Sequence, residues 1–243
     1  VGSGRGLALV RADLGAVRAA AHAHGATVND VVLSALAGGL RRLLVHRGVP
    51  VDGLVAAVYV PVTLRRGRGG AEVPPPGGGT VAPRRGGTSD APPGPASGNL
   101  ITQMVVPLPV GEADPARRLR QITTVTTERK ARARPPLGAL FGSRLLLPVL
   151  LRLIDRQSVN VTTADLRGPP GPVHLAGARV LEVFPVLPLI GKVALGVGAL
   201  SYDGRLGITV VADGDAYPDL PVLVAGLEEE LLRTARGSRS PAR

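Results

Sequence analysis

Apolar residues recur along this chain with two different periods, and the periods predict its elements. In VNDVVLSALAGGLRRLL the residues Val28, Val32, Ala35, Leu36, Gly39 and Leu43 return three and four positions apart, which puts them on one face of a helix. Ser34, Ala37 and Gly38 between them are small, so the first turns are expected to be buried all round. Thr27 stands where an N-cap belongs, and Asp30 three residues later makes a capping box with Asp in place of Glu. Arg41 and Arg42 come near the end, where positive charge suits the helix dipole. A shorter helix is predicted over 13–25, capped by Asp13 and stopped by Gly25. RGLALVR (5–11), LVAAVYVPVTLR (54–65) and NLITQMVVPLPV (99–110) read as strands, and the unbroken apolar run of the second marks it as central.

Further along, Asp114 and Pro115 supply an N-cap and a first-turn residue for a helix that runs through RRLRQITTVTTERKARA. Residues 137–157 predict another helix, bent at Pro148. SVNVTTADL reads as a strand, followed by the turn-former cluster RGPPGP and a second extended run, HLAGARVLEVFPV. The sharpest local signal is VALGVGALSYDGRLGITVVAD, two strands joined at Asp203-Gly204 by a type I′ turn. Asp219 then caps a last helix over 220–235. Residues 66–96 are Gly, Pro, Arg and Ser and cannot pack, so they predict a disordered insertion. The expected organisation is one domain made of 1–65 and 97–236, with a flexible tail over 237–243. Its fold class is α/β: a mixed β-sheet of about five or six strands flanked by helices.

Composition narrows the chemistry. The chain has 243 residues, 44% of them hydrophobic, which suffices for a substantial core. It has no cysteine, which excludes disulfides, thiol catalysis and thiolate metal sites. His22, His24, His46 and His174 lack metal-ligand spacing, so no metal is expected. The net charge of +11 would favour an anionic partner, but arginine dominates it in a chain rich in Ala, Gly, Pro and Val, the mark of GC-biased codons. With two Phe and three Tyr in the whole chain, there is no stacking platform for nucleic acid, and none is expected as a partner. No charge-free stretch reaches the roughly 18 apolar residues of a membrane span, and residues 1–12 show no secretion signal.

Several motifs have plain structural readings. GSGRG at 2–6 precedes a strand instead of following one, which makes it a linker and not a dinucleotide loop. Asn160-Val161-Thr162 matches a glycosylation acceptor by chance, and His22 and His24 fall on a solvated helix face. Arg144, Arg152 and Arg156 form a basic edge beside a leucine face, read as a helix packed on a sheet in preference to one docked on an anionic membrane. For Asn29-Asp30 the local account is helix capping, worth about 0.5–2 kcal/mol. The residues alone yield no catalytic constellation.

Five ordered blocks nonetheless resemble a known family. GATVNDVVLSALAGGLRRLL, VPVTLR, GNLITQMVVPLPVGEADPARRLRQI, GPPGPVHLAGARVLEVFPV and LSYDGRLGITVVAD are similar to the C-terminal half of bacterial wax ester synthase/diacylglycerol acyltransferases. The resemblance implies one half of a chloramphenicol acetyltransferase-like two-domain fold, in which two α/β halves clamp a tunnel. It implies esterification of acyl-CoA, a substrate and not a bound cofactor, to a long-chain alcohol or diacylglycerol. Thr27, Asn29, Asp30, Gly98, Asn99, Gly168 and Pro169 fall at the family's channel-wall and structural motifs. The catalytic HHxxxDG motif of the N-terminal half is not in this sequence, so no catalytic residue is assigned here and the chain alone is expected to be inactive. That half is the implied partner, in cis or as a separate chain. A fragment, a split subunit and a degenerate paralogue, the last a non-catalytic lipid- or partner-binding module, all fit the sequence. The expected location is cytoplasmic, with peripheral contact at the inner membrane face or lipid inclusions. One block departs from the family: its Ser/Thr-Asn-Val-Pro-Gly-Pro run is replaced by Ala164, Asp165, Leu166, Arg167, Gly168 and Pro169, with Asp165 and Arg167 expected to form an ion pair.

Overall fold

Asp203 and Gly204 both take positive φ, 44° and 77°, so the turn joining the last two strands is the type I′ turn the sequence predicts. The computed structural model describes Gly2 and residues 4–63, 101–132, 159–189 and 191–237. Its elements are β1 (Arg5–Asp13), α1 (Leu14–Ala23), α2 (Val28–His46), β2 (Val55–Thr63), β3 (Ile101–Pro109), α3 (Pro115–Arg132), β4 (Val161–Arg167), β5 (His174–Leu175), β6 (Ala178–Arg179), β7 (Leu195–Tyr202), β8 (Arg205–Asp213) and, last, α4 (Leu220–Gly237). The main sheet has six strands in the order β1-β8-β7-β4-β2-β3, and β5 with β6 forms a separate hairpin. The outer pairs and the β7–β8 hairpin are antiparallel, whereas β4 runs parallel to both of its neighbours. This is the mixed α/β sheet expected from the strand pattern.

Register sorts the two faces. Leu195, Val197 and Ala199 of β7 pair with Ala212, Val210 and Ile208 of β8, and all belong to the buried core with residues of the four helices. The helices therefore cover one face. On the opposite face β7 and β8 present Gly196, Gly198 and Gly207, and the extended segment 183–189 lies against them. A Cβ on Gly198 would come within 2.8 Å of the Pro185 carbonyl oxygen, and one on Gly207 within 2.6 Å of that of Val183.

Helix α2 is buried at every residue from Asp30 to Leu40. It crosses α4 at Gly39 and Gly226, where a Cβ on Gly226 would lie 2.9 Å from the Gly39 Cα. Gly38 leaves room for a buried ion pair between Arg118 of α3 and Glu230 of α4. Asp13 caps α1 by accepting from the Ala16 N–H, as expected.

Other expectations need correcting. Arg5 and Gly6 of the GSGRG stretch already pair with Asp213 and Ala212, so the linker ends inside β1. The 174–186 run pairs only at the two-residue strands β5 and β6, because its remainder lies over the β7–β8 glycines instead of beside a strand. The Asp219 carboxylate is taken by Arg47, and its backbone carbonyl is what accepts the Val222 N–H. Gly237, placed in the tail by the sequence pattern, ends α4. The 66–96 insertion, the 137–157 helix with its three arginines, and residues 238–243 lie outside the described residues.

Candidate functional site

The N-terminus of α2 carries the resemblance-implied pair, and its geometry answers what Asp30 does. Thr27 has extended backbone (φ −99°, ψ 163°) and caps the helix. Its N–H donates to Asp30 Oδ2 at 2.8 Å, its hydroxyl donates to the same oxygen at 2.7 Å, and the Asp30 N–H donates back to Thr27 Oγ1 at 3.3 Å. This is the reciprocal capping box the sequence predicts. The other carboxylate oxygen is also occupied: Thr126 Oγ1, on α3, donates to Asp30 Oδ1 at 2.8 Å. Asp30 is 1% exposed, so a buried carboxylate closes its own helix end and ties α2 to α3. Asn29 beside it is half-buried.

Strand β4 points a second carboxyl at this helix end. Thr163 and Asp165 pair with Val197 and Ala199, which places Asp165 on the helix-covered face, two residues beyond buried Thr163. Asp165 keeps solvent contact. Even so, partial desolvation raises its carboxyl pKa above the ordinary value; Arg167 and Lys130 pull it back, and the nearby Asp30 pushes it up again. Lys130 belongs to α3, so α2, α3 and β4 converge here. The expected Asp165–Arg167 ion pair is not formed: among the contacts of the described residues, Arg167, two residues along the same exposed strand end, acts on Asp165 only through space.

Gly168 and Pro169 follow directly and are docked on the β7–β8 hairpin. The Gly168 N–H donates to the Ser201 carbonyl at 2.9 Å, and the Asp203 N–H donates to that of Pro169 at 3.3 Å. A Cβ on Gly168 would meet Ser201 O at 2.5 Å, so the glycine is required by the close approach. Thr27, Asp30 and, through Asp165, the end of β4 are thus brought together, whereas Gly98 and Asn99 lie outside the described residues.

No described histidine hydrogen-bonds to Asp30. His22, His46 and His174 are exposed, and the His24 ring nitrogen Nδ1 lies 3.0 Å from the Ala20 carbonyl of its own helix. No group of three His, Asp or Glu able to hold a metal occurs among the described residues. Two clefts lie away from this helix end. One of about 450 Å³ sits between the end of β1, α1 and α4, and one of about 330 Å³ sits between β1 and residues 182–184. Among the described residues, no helix is long and apolar enough to cross a membrane. Sequence reasoning missed Thr126 and Lys130 as parts of the site and named Asp165 only as a departure from the family's motif, because only the tertiary fold brings α3 and β4 to the start of α2.

Comparison with known proteins identifies the family and the fold. Residues 97–234 match the family model of the WS/DGAT C-terminal domain. A Mycobacterium tuberculosis protein named as a diacylglycerol O-acyltransferase is 29% identical over 240 residues, covering 93% of this chain and 42% of the relative. Another from the same species is 32% identical over 200 residues, 80% of this chain and 35% of the relative. The chain therefore spans less than half the length of these relatives. The wax ester synthase/diacylglycerol acyltransferase of Marinobacter aquaeolei VT8 shares the fold with a TM-score of 0.66 at 21% identity, over 96% of this chain and 49% of that one. The first condensation domain of the CDA synthetase does so with a TM-score of 0.51 at 15% identity, over 98% and 46%. With more than half its length matched by that family model, the chain belongs to the wax ester synthase/diacylglycerol acyltransferase family as its C-terminal domain.

Proposed function

We propose that this chain forms one wall of the acyl channel of an O-acyltransferase that moves an acyl group from acyl-CoA to a long-chain alcohol or diacylglycerol. The family match over 97–234 carries the reading, and the rigid Thr27–Asp30–Thr126 network at the head of α2 supports it. In this reading the histidine of an HHxxxDG-bearing N-terminal half takes the proton of the acceptor hydroxyl. The hydroxyl oxygen bonds to the thioester carbonyl carbon, the carbon–sulfur bond breaks, and the proton leaves with the CoA thiol. General-base assistance of this kind contributes about 10²–10⁴ in rate, and holding both substrates in register contributes further. The part of this chain is to hold the channel wall at α2 and β4 in place; acyl-CoA is a passing substrate.

The test is acyl transfer from a long-chain acyl-CoA to hexadecanol or dioleoylglycerol. The 243-residue chain alone should show none. Joined to an HHxxxDG-bearing half from the family, it should turn over. Turnover by the isolated chain that vanishes on replacing His22 or His174 would overturn the reading.

A further inference from the structure

Strands β1 and β3 close the two sides of the six-stranded sheet, and their outer edges differ. At the ends of the β1–β8 ladder the Leu14 N–H donates to the Gly204 carbonyl and the Gly214 N–H to that of Gly4. The even-numbered residues of β1 therefore turn their peptide groups toward β8, and Leu7, Leu9 and Arg11 aim theirs away from it. Among the described residues, β8 is the one strand paired with β1.

The outer edge of β3 is closed chemically. Pro107 and Pro109 carry no N–H, and Arg129 of α3 donates to the Val105 carbonyl. β1 has no such protection: it runs nine residues in unbroken register with neither a proline nor a bulge. An open ladder of that kind recruits another strand. The charge of Arg11 does not guard it either, because Arg11 turns back onto the strap formed by residues 173–186. There it pairs with Glu182 at 2.9 Å and lies over the Phe184 ring, 5.1 Å from its centre.

The side-chain rows of β1 select the strand that fits. Ala8, Val10 and Ala12 pack on the helix-covered core, whereas Leu7 and Leu9 stand on the other face, 54% and 37% exposed. Turned antiparallel onto a second copy about Leu9, β1 sets Leu9 against Leu9, Leu7 against Arg11 and Arg5 against Asp13. Every one of these is odd-numbered, so the outward peptide groups of the two copies meet as hydrogen-bonded pairs. Opposite charges face each other at both ends, both exposed, and the bare leucines cover one another at the centre. Sliding by two residues one way would set Arg5 against Arg11, and the other way Leu7 against Asp13. The clefts of about 450 and 330 Å³ flank Arg11, Ala12 and Asp13 on the two faces of the sheet, beside the place where Leu7 and Arg5 of the second copy arrive.

We propose that two copies of this chain pair antiparallel along β1, centred on Leu9, and join their sheets into one. The proposal goes beyond the acyltransferase reading and does not draw on it.

The experiment reads mass by light scattering and register by cross-linking. The full chain should scatter at twice its own mass at about 10 μM, a concentration suited to a moderate dimer. Because the sequence has no cysteine, Leu9→Cys introduces a single thiol. Directly opposed Cα atoms in a hydrogen-bonded pair lie about 5.5 Å apart, within disulfide reach, so oxidation should link this variant to its copy. Leu7→Cys stands four residues out of register with its own copy, about 14 Å along the strand, and should link about tenfold less. Arg5→Asp sets like charges opposite one another at both ends and should weaken the dimer about tenfold with an unchanged melting temperature. Adding Asp13→Asn, which keeps a residue able to cap α1, should restore part of that loss. Leu9→Pro removes an outward N–H and should also give monomer; if it does not fold, the cysteine and Arg5 variants still decide. A monomer at about 100 μM, equal linking at positions 7 and 9, or a dimer indifferent to Arg5→Asp overturns the proposal. So does loss of the dimer when an HHxxxDG-bearing half is joined, since the edge would then belong to the contact between halves.

Discussion

Thr126 donates its hydroxyl to Asp30 across 96 residues of sequence, and the bond is the one direct polar tie between α2 and α3 among the described residues. It places a carboxylate with no solvent contact between two helices, satisfied by three donors from Thr27 and Thr126. Replacing Asp30 by Ala removes the acceptor of all three, although Thr126 keeps the Thr123 carbonyl at 3.1 Å and Thr27 is exposed to water. The cap and the interhelix bond are lost, so Asp30→Ala should destabilise the fold by about 1–3 kcal/mol. Thr126→Val should cost about 1–2 kcal/mol, and the double variant should be less destabilised than the sum of the two by about 1 kcal/mol. Urea unfolding of the four proteins measures this, and strict additivity would dissolve the proposed network.

The α2–α4 crossing leaves no room for a methyl group. A Cβ on Gly39 would lie 2.7 Å from the Leu223 carbonyl oxygen, and that neighbour is helix backbone, which cannot swing aside. Gly39→Ala and Gly226→Ala should each cost about 1–3 kcal/mol by overpacking, against the few tenths gained from better helix propensity. Thermal melting should show both variants below the parent. An unchanged melting temperature would mean the helices part more readily than their packing implies.

Arg118 is fully buried with its Nε lacking any hydrogen-bond partner among the described residues, and burial lowers its pKa despite Glu230. A buried pair of this kind is costly to break and cheap to replace. Glu230→Gln should destabilise by about 3–5 kcal/mol, since it leaves a buried guanidinium without its counter-charge. Arg118→Met together with Glu230→Leu should recover most of that loss in the same denaturation assay.

Asp165 carries the pH prediction. Its folded carboxyl holds its proton more tightly than the unfolded chain does, so its contribution to stability is fullest in acid and declines as pH rises from the ordinary carboxylate value through the raised one. Asp165→Asn stays neutral throughout. It should melt above the parent at pH 7 and converge with it below about pH 4. Melting curves across that range decide it, and a parent that gains on the variant as pH rises would contradict the desolvation that raises the Asp165 carboxyl.

Local signals in the chain were legible wherever the chemistry is local. The Thr27–Asp30 capping box, the Asp13 cap and the Asp203-Gly204 turn each lie within four residues, and each forms as the sequence predicts. The strap was not legible, because 174–186 has strand composition and only the fold shows it lying across glycines of β7 and β8. The family blocks pointed to Asp30 but said nothing of Thr126, whose hydroxyl looks like any other on a polar helix. Asp165 and Arg167 looked like partners by charge and turned out to be neighbours on one strand face.

The sheet has a seam. Strand β4 pairs with β7 over six residues but with β2 through two, Val58↔Val161 and Tyr59↔Thr162. One block of the molecule is therefore β1, β8, β7 and β4 under α1, α2 and α4, and the other is β2 and β3 with α3. Little backbone bonding stitches the blocks together, so amides of β2 and β3 should open to solvent exchange as a unit before those of β7 and β8. The Asp30–Thr126 bond spans this joint from above, with α2 on one block and α3 on the other. It then works as a clasp as well as a cap, and the buried Arg118–Glu230 pair, which joins α3 to α4, fastens the same two blocks a second time.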